Sequence, residues 1–205
     1  MAHVEERFPL FPLGIVLLPT EIVPLHIFEE RYKLMIGQCV EDETDFGIVW
    51  LGDDGLCDIG CTARVAQVLE RMDDGRMNIL AQGGRPFRLL RRIEDLPYPA
   101  GDVELLDDID EGDEALAGEA REAYADLVET VTDNRPGVDE LDGLSAYGMA
   151  ATIELAAAPK QALLEERSED ARLKTVGDLF ATALRRIESA EEAQERAKSN
   201  GKVRF

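Results

Sequence analysis

The stretch at residues 8–32, FPLFPLGIVLLPTEIVPLHIFEERY, constrains the fold more than any other part of the chain. It holds four of the nine prolines, and most of its other residues are Leu, Ile, Val or Phe. Proline fixes φ and cannot donate a hydrogen bond within a sheet. The spacing therefore predicts short strands, with Pro9, Pro12, Pro19 and Pro24 at strand ends and corners.

The same stretch contains an apolar run at residues 10–18 that must be weighed as a membrane signal. It is too short to span a bilayer, lacks a charged leader, and is interrupted by Pro12. The three cysteines, Cys39, Cys57 and Cys61, are an odd number and do not form a disulfide framework. These features predict a soluble cytoplasmic protein without a membrane partner.

The charge of the chain argues against a nucleic acid as partner. There are 43 acidic residues against 22 basic ones, which gives a formal net charge of −21. Such a surface repels phosphate backbones. The densest basic strip consists of Arg85, Arg88, Arg91 and Arg92. We therefore predict no nucleic-acid partner.

The pattern of apolar residues changes near residue 107. Before it, short apolar runs and turn signals predict strands at residues 46–51, 63–69, 77–81, 87–93 and 101–106. Asp74-Gly75 is a strong hairpin signal. One helix is predicted at residues 29–40, where Tyr32, Met35, Ile36 and Cys39 fall on one face. This pattern predicts a β-rich unit at residues 1–106.

After an acidic linker at residues 107–114, helical periodicity takes over. Helices are predicted at residues 116–131, at residues 144–157 with a stop at Pro159, at residues 160–166, and along a long last segment capped by Ser168. The helical unit covers residues 115–190, and residues 191–205 form a polar tail that frays. The predicted fold class is α+β.

Few residues of the sequence are candidates for catalysis or metal binding. The chain has two histidines and four serines, and no serine sits in a Gly-x-Ser-x-Gly elbow. Cys57 and Cys61 have no second Cys or His pair nearby, so we interpret them as small packed residues rather than metal ligands. His26 is predicted to be a hydrogen-bonded structural residue, and Gly83-Gly84 to mark a turn or bulge. We predict no catalytic residue, no metal and no cofactor.

Several motifs in order resemble the N-terminal domain of Lon proteases, also called the Lon substrate-binding domain. The opening resembles it through Phe11-Pro12-Leu13, Pro19 and the PLHIFEERY segment at residues 24–32. FGIVW, IGCTARV, DGRMNILAQGGRPFRLL and KQALLEERSEDARLKTVGDLF follow in the family's order. The similarity extends to about Phe180. One departure is Pro86, where the family usually has arginine directly before the phenylalanine.

The resemblance implies a twisted β barrel or sheet similar to PUA domains, followed by a helical bundle. It also implies a non-catalytic recognition module, because the ATPase and peptidase of Lon proteases follow this domain and this sequence contains neither. The implied partners are exposed apolar segments of unfolded proteins, or a component of the proteolysis machinery. The alternative is a PUA-like protein that binds RNA or a nucleotide.

Methionine and aromatic side chains near loops suit a tolerant apolar groove. On this basis the candidate peptide contacts are Leu25, Tyr32, Trp50, Met72 and Met77. A structural role is predicted for Pro12, Pro19, Pro24, Phe28, Glu29 and Arg31. Of these, Phe28 is expected in the core, and Arg31 is expected to pair with an acid of a neighbouring strand or loop.

Overall fold

The computed structural model of the chain describes residues 3–200. Its strands are β1 (His3–Leu13), β2 (Ile22–Ile27), β3 (Phe46–Gly52), β4 (Gly55–Arg71), β5 (Met77–Ile93) and β6 (Ala100–Leu105). Its helices are α1 (Glu30–Asp42), α2 (Glu114–Thr132), α3 (Val138–Leu141), α4 (Ala146–Ala150), α5 (Ala157–Glu165) and α6 (Glu169–Asn200). The predicted α+β class, a twisted β barrel followed by a helical bundle, is confirmed.

The sheet closes because β5 pairs at both of its ends. The strand order is β2-β5-β4-β3-β1-β6, and β6 returns to pair with β5. Residues 77–82 of β5 pair with β2, while residues 87–93 pair with β6. The two predicted strands at residues 77–81 and 87–93 are therefore one bent strand. Between them the register with β4 shifts, which confirms the bulge predicted at Gly83-Gly84.

Strand β3 separates two hydrophobic cores. Val49 faces the barrel interior, where the ring of Phe87 is fully buried. Phe46 and Ile48 point the other way, into a larger core shared with the helices. Because successive side chains alternate across a strand, a strand buried on both faces must be apolar at every position. The FGIVW run meets that requirement.

Three prolines lie within strands, so the prediction that all four mark ends and corners is wrong. Pro9 and Pro12 are in β1 and Pro24 is in β2, while Pro19 occupies a turn. The reason is the direction of the missing N–H. The amide of Gly83 donates to the carbonyl of Glu21, so the backbone of Pro24, three residues on, faces away from β5. Strand β2 is an edge strand, and there proline removes no ladder bond.

The helical part departs from the prediction in two segments. The short helix α3 was not predicted, and the helix expected at residues 144–157 is interrupted. Residues 151–156 are not helical, and Pro159 lies in the first turn of α5 rather than ending a helix. The Thr152 hydroxyl donates to the Met149 carbonyl, which competes with continuation of α4. Proline is tolerated in a first turn because its N–H would have no partner there. The predicted helix at residues 144–157 is therefore two separate short elements.

The acidic linker and the long last helix are joined by hydrogen bonds. Asp110 accepts from the amides of Glu169 and Asp170, and Ser168 caps α6 by accepting from Ala171, as predicted. Helix α6 continues to Asn200 and so includes residues 191–200 of the predicted tail. The rest of the predicted tail, residues 201–205, lies outside the described part of the chain.

Candidate functional site

Two of the five predicted peptide contacts are core residues. Tyr32 is on the buried face of α1, and its ring centre lies 4.1 Å from that of Phe11. Met77 is 2% exposed at the start of β5. Burial raises the pKa of the Tyr32 hydroxyl. The apolar spacing that places these side chains in a helix and a strand also turns them inward, so both pack in the core. Met77 also borders a groove beside α1. Their role as contacts stays a prediction.

The other three predicted contacts are half-buried and lie on separate elements. Leu25 is in β2, Trp50 is near the end of β3, and Met72 is in the turn between β4 and β5. Trp50 pairs in register with Leu13 of β1. None of the three lines the groove at the barrel mouth described below. Their role as contacts stays a prediction.

Phe28 and Arg31, in the segment after Pro24, do not make the contacts that were predicted for them. Phe28 is 59% exposed, because it continues the outward-facing alternation of β2. Its ring stacks on His26, which is hydrogen-bonded to Asn78 on β5 at 2.6 Å. Arg31 pairs with Glu29, two residues away, instead of with a distant acid. Phe28 is thus a surface residue, and the Glu29–Arg31 pair is local to the start of α1.

A groove of about 330 Å³ opens at one mouth of the barrel. Its floor consists of Leu10 of β1, Leu56 of β4, Ile93 of β5 and Ala100 of β6. Leu10 also belongs to the barrel core, and Leu56 packs against it. The floor is therefore an exposed end of the barrel interior, held in place by four different strands.

The wall of the groove is the loop between β5 and β6. It presents Leu96, Pro97, Tyr98 and Pro99 to the groove, opposite Pro12. The Tyr98 hydroxyl donates to Gln38 of α1 at 2.9 Å, which fixes the loop. These residues were not among the predicted contacts, although two prolines around a tyrosine are a local sequence signal for such a wall.

Pro12 keeps this edge of β1 open. The amide of Leu10 donates to the carbonyl of Pro99, so the backbone of Leu10 faces the loop. The backbone of Pro12, two residues further, faces the same way, away from its partner strand β3. Since proline has no N–H, it cannot extend the pairing towards the loop. The groove begins where that pairing ends.

The rim of the groove carries Arg31, Arg92 and Glu94. Arg31 is engaged by Glu29. Arg92 has no ion-pair partner among residues 3–200, whereas its neighbour Arg91 pairs with Asp102. A groove with an apolar floor and an arginine at its edge can receive an apolar side chain together with a polar or anionic group.

Two other grooves are more strongly charged. The groove between α1 and the β4–β5 hairpin is lined by charged side chains and by a few others. The charged residues are Glu30, Lys33, Glu41, Arg71 and Asp74, and the others are Leu34, Gly37, Gln38, Gly75 and Met77. A third groove, near the start of β1, has six charged residues in its lining, which are Glu5, Glu6, Arg7, Glu43, Asp45 and Arg85. The barrel-mouth groove differs from both in its largely apolar lining, so it is the candidate site for an apolar ligand.

The described residues offer little for metal or nucleophilic chemistry. No group of three or more His, Cys, Asp or Glu side chains within residues 3–200 is arranged to hold a metal ion. Cys57 and Cys61 both lie in β4, and burial raises the pKa of both thiols. A raised pKa keeps a thiol protonated and unreactive near neutral pH. In the same part of the chain, no helix is long and apolar enough to cross a membrane.

The chain is similar in sequence to a known protein family. The sequence model of the ATP-dependent protease La (LON) substrate-binding domain matches residues 7–182. The chain belongs to this family. The resemblance read from the proline-rich opening is thereby confirmed, and the match covers the Lon-type barrel together with most of the helical part.

Curated relatives of this Lon-type domain are much longer proteins. A Lon protease of Anaeromyxobacter dehalogenans is 27% identical over 191 residues, which cover 84% of this chain and 22% of that protein. Lon protease 2 of Myxococcus xanthus is 25% identical over 196 residues, which cover 86% of this chain and 24% of that protein. The chain thus spans less than a quarter of the length of these relatives.

Solved structures of Lon N-terminal domains share the fold. A Lon N-terminal domain protein from Xanthomonas campestris superimposes with a TM-score of 0.63 at 25% identity, covering 82% of this chain and 95% of that one. The N-terminal domain of the Mycobacterium avium complex Lon protease gives a TM-score of 0.65 at 20% identity, covering 86% and 98%.

Proposed function

We propose that this Lon-type domain is a non-catalytic module that binds short apolar segments of other proteins in the barrel-mouth groove. The observation that supports the proposal is the groove itself, an apolar floor built from the open end of the barrel core. Its volume lies within the range of sites that take small ligands or single side chains. The fixed wall at Tyr98 means that little order has to be gained on binding.

We infer further that the bound segments belong to proteins destined for proteolysis, so that the chain assists a protease. The support is the family, whose description names substrate binding in an ATP-dependent protease. Co-purification of the chain with an ATP-dependent protease from its source cells tests this role. The purified chain is expected to hydrolyse neither ATP nor peptides. Turnover that one point mutation abolishes contradicts the non-catalytic part of the proposal.

The basic strip gives no support to binding of RNA. Arg85 pairs with Asp107, Arg88 with Glu104 and Arg91 with Asp102. These carboxylates neutralise most of the strip, and a phosphate backbone would have to displace them. Together with the net charge of −21, these pairs make the strip a poor track for a nucleic acid.

The proposal is tested by titrating fluorescent peptides that carry a central Leu or Phe, with matched Ser-containing peptides as reference. We expect micromolar binding of the apolar peptides only. Ile93→Ser in the floor and Leu96→Ser in the wall should each weaken binding about tenfold, because each removes an aliphatic contact. Leu90→Ser is the control, since Leu90 is an exposed residue of β5 outside the groove. Equal binding by all three variants, or no peptide binding, overturns the proposal.

A further inference from the structure

Two arginines of β5 are neutralised in register by acids of β6. Arg88 stands opposite Glu104 and pairs with it. Arg91 stands opposite Asp102, and its Nε donates to that carboxylate at 3.0 Å. Each of these two arginines thus faces a cross-strand carboxylate, an arrangement that stabilises neighbouring strands.

Arg92 breaks this pattern because it stands opposite Gly101. No larger residue fits at that position. A Cβ on Gly101 would lie 2.4 Å from Leu89 Cδ1 and 2.7 Å from the Arg91 carbonyl oxygen. Barrel packing therefore forbids an acid across from Arg92, and within residues 3–200 the guanidinium has no ion-pair partner. It lies on the rim of the barrel-mouth groove.

The other two charged residues on the rim do not act as partners of Arg92. Arg31 already bonds Glu29 through both Nε and a terminal nitrogen, at 3.0 and 2.9 Å. Glu94 carries the opposite sign and repels an acidic ligand from its own side of the groove. Arg92 is thus the rim group whose donors are free, and an arginine fork binds a carboxylate through two parallel hydrogen bonds.

We propose that the groove prefers apolar protein segments in which the apolar residue is flanked by aspartate or glutamate. The apolar side chain sits on the floor at Leu56 and Ile93, and the acidic side chain binds Arg92. This inference rests on the proposed function and names the class of segment that the same groove selects. The rest of the surface, with its excess of acids, repels such segments, so their binding concentrates at the groove.

The test uses three peptides that share one apolar residue and differ only in its flanks, which are Asp, Asn or Lys. Titrations at about 0.15 M salt limit repulsion from distant charges, since screening acts beyond about 8 Å. We expect the Asp-flanked peptide to bind the wild-type chain about fivefold more tightly than the Asn-flanked one, the upper range for an exposed ion pair. Arg92→Glu should reverse the order, so that the Lys-flanked peptide binds best.

Arg64→Glu is the matched control, because it makes the same change in net charge at an exposed residue of β4 outside the groove. It should leave the order of the three peptides unchanged. Equal affinity for the three flanks overturns this inference but leaves the proposed function standing. An unchanged order in Arg92→Glu has the same meaning. Failure of every peptide to bind overturns both.

Discussion

The guanidinium carbon of Arg172 lies 4.2 Å from the centre of the Tyr147 ring, and both side chains are buried. Arg172, only 1% exposed, also donates from Nε to Glu169 and from a terminal nitrogen to Asp108. Its third hydrogen-bond partner is the carbonyl of Glu166, at 2.7 Å. One side chain thus holds the acidic segment after β6, helix α4 and the start of α6 together.

Replacing this arginine should therefore destabilise the whole chain. Arg172→Met keeps the apolar stem but leaves Glu169 buried without its cation. Removing one partner of a buried ion pair costs about 3–5 kcal/mol. Urea unfolding followed by circular dichroism measures the loss.

The control is Arg135→Met, which removes an arginine that pairs with Glu122, Asp126 and Glu129 at the surface. Water replaces those contacts, so its unfolding midpoint should stay close to that of the wild type. If Arg172→Met shifts the midpoint no more than Arg135→Met, the buried cluster does not stabilise the helical part.

Gly60 should not tolerate a side chain. A Cβ there would lie 2.6 Å from the Ile48 carbonyl oxygen and 2.7 Å from Phe87 Cζ. Gly60→Ala is expected to destabilise the chain by about 1–3 kcal/mol, as overpacking of a full core does. The control is Gly118→Ala in α2, where the space is open and alanine should stabilise the helix by up to about 1 kcal/mol. Equal effects of the two variants in urea unfolding would contradict the description of the barrel core.

Local sequence patterns predicted the helices and strands of this fold better than the way in which they are connected. The spacing of Tyr32, Met35, Ile36 and Cys39 predicts α1, and all four are buried as expected. The bend that joins the two halves of β5 depends on Gly83, where a Cβ would lie 2.0 Å from the Leu18 carbonyl oxygen. Such a contact between segments 65 residues apart in sequence has no local signal.

The candidate site was predicted less well, for a related reason. Its floor takes one residue from each of four strands, from Leu10 to Ala100. Closure of the barrel brings these four residues together, and their spacing in the sequence does not predict that they are neighbours. Tyr32 and Met77 were predicted as contacts because aromatic and methionine side chains suit both grooves and cores. In the structure both residues are buried in the core.

The cap of α6 predicts a dependence of stability on pH. A hydrogen bond from Ser168, with the amides of Asp170 and Glu169, holds the pKa of Asp110 below its ordinary value. A lowered pKa in the folded state means that the ionised carboxylate stabilises the fold. That contribution is present above the unfolded pKa of about 3.9 and is lost as the pH falls through the folded pKa.

Asp110→Asn should accordingly lower the urea midpoint at pH 7, and the gap to the wild type should shrink below about pH 4. Asp53→Asn, in the exposed turn between β3 and β4, is the control and should show no gap at either pH. If the difference in urea midpoint between Asp110→Asn and the wild type stays constant from neutral to acid pH, the charge of Asp110 does not contribute to the stability of the cap.

Pro24 should protect the edge of the sheet. Its backbone faces away from β5, so Pro24→Val adds an N–H to the outer side of β2, next to the exposed Ile22. An edge strand with a continuous row of donors pairs with other chains. We expect an unchanged urea midpoint but concentration-dependent association in light scattering, stronger at about 0.5 M salt, where repulsion between the acidic chains is screened. Pro136→Val, in the loop before α3, should stay unassociated. Loss of stability without association would mean that the backbone at Pro24 does not face solvent.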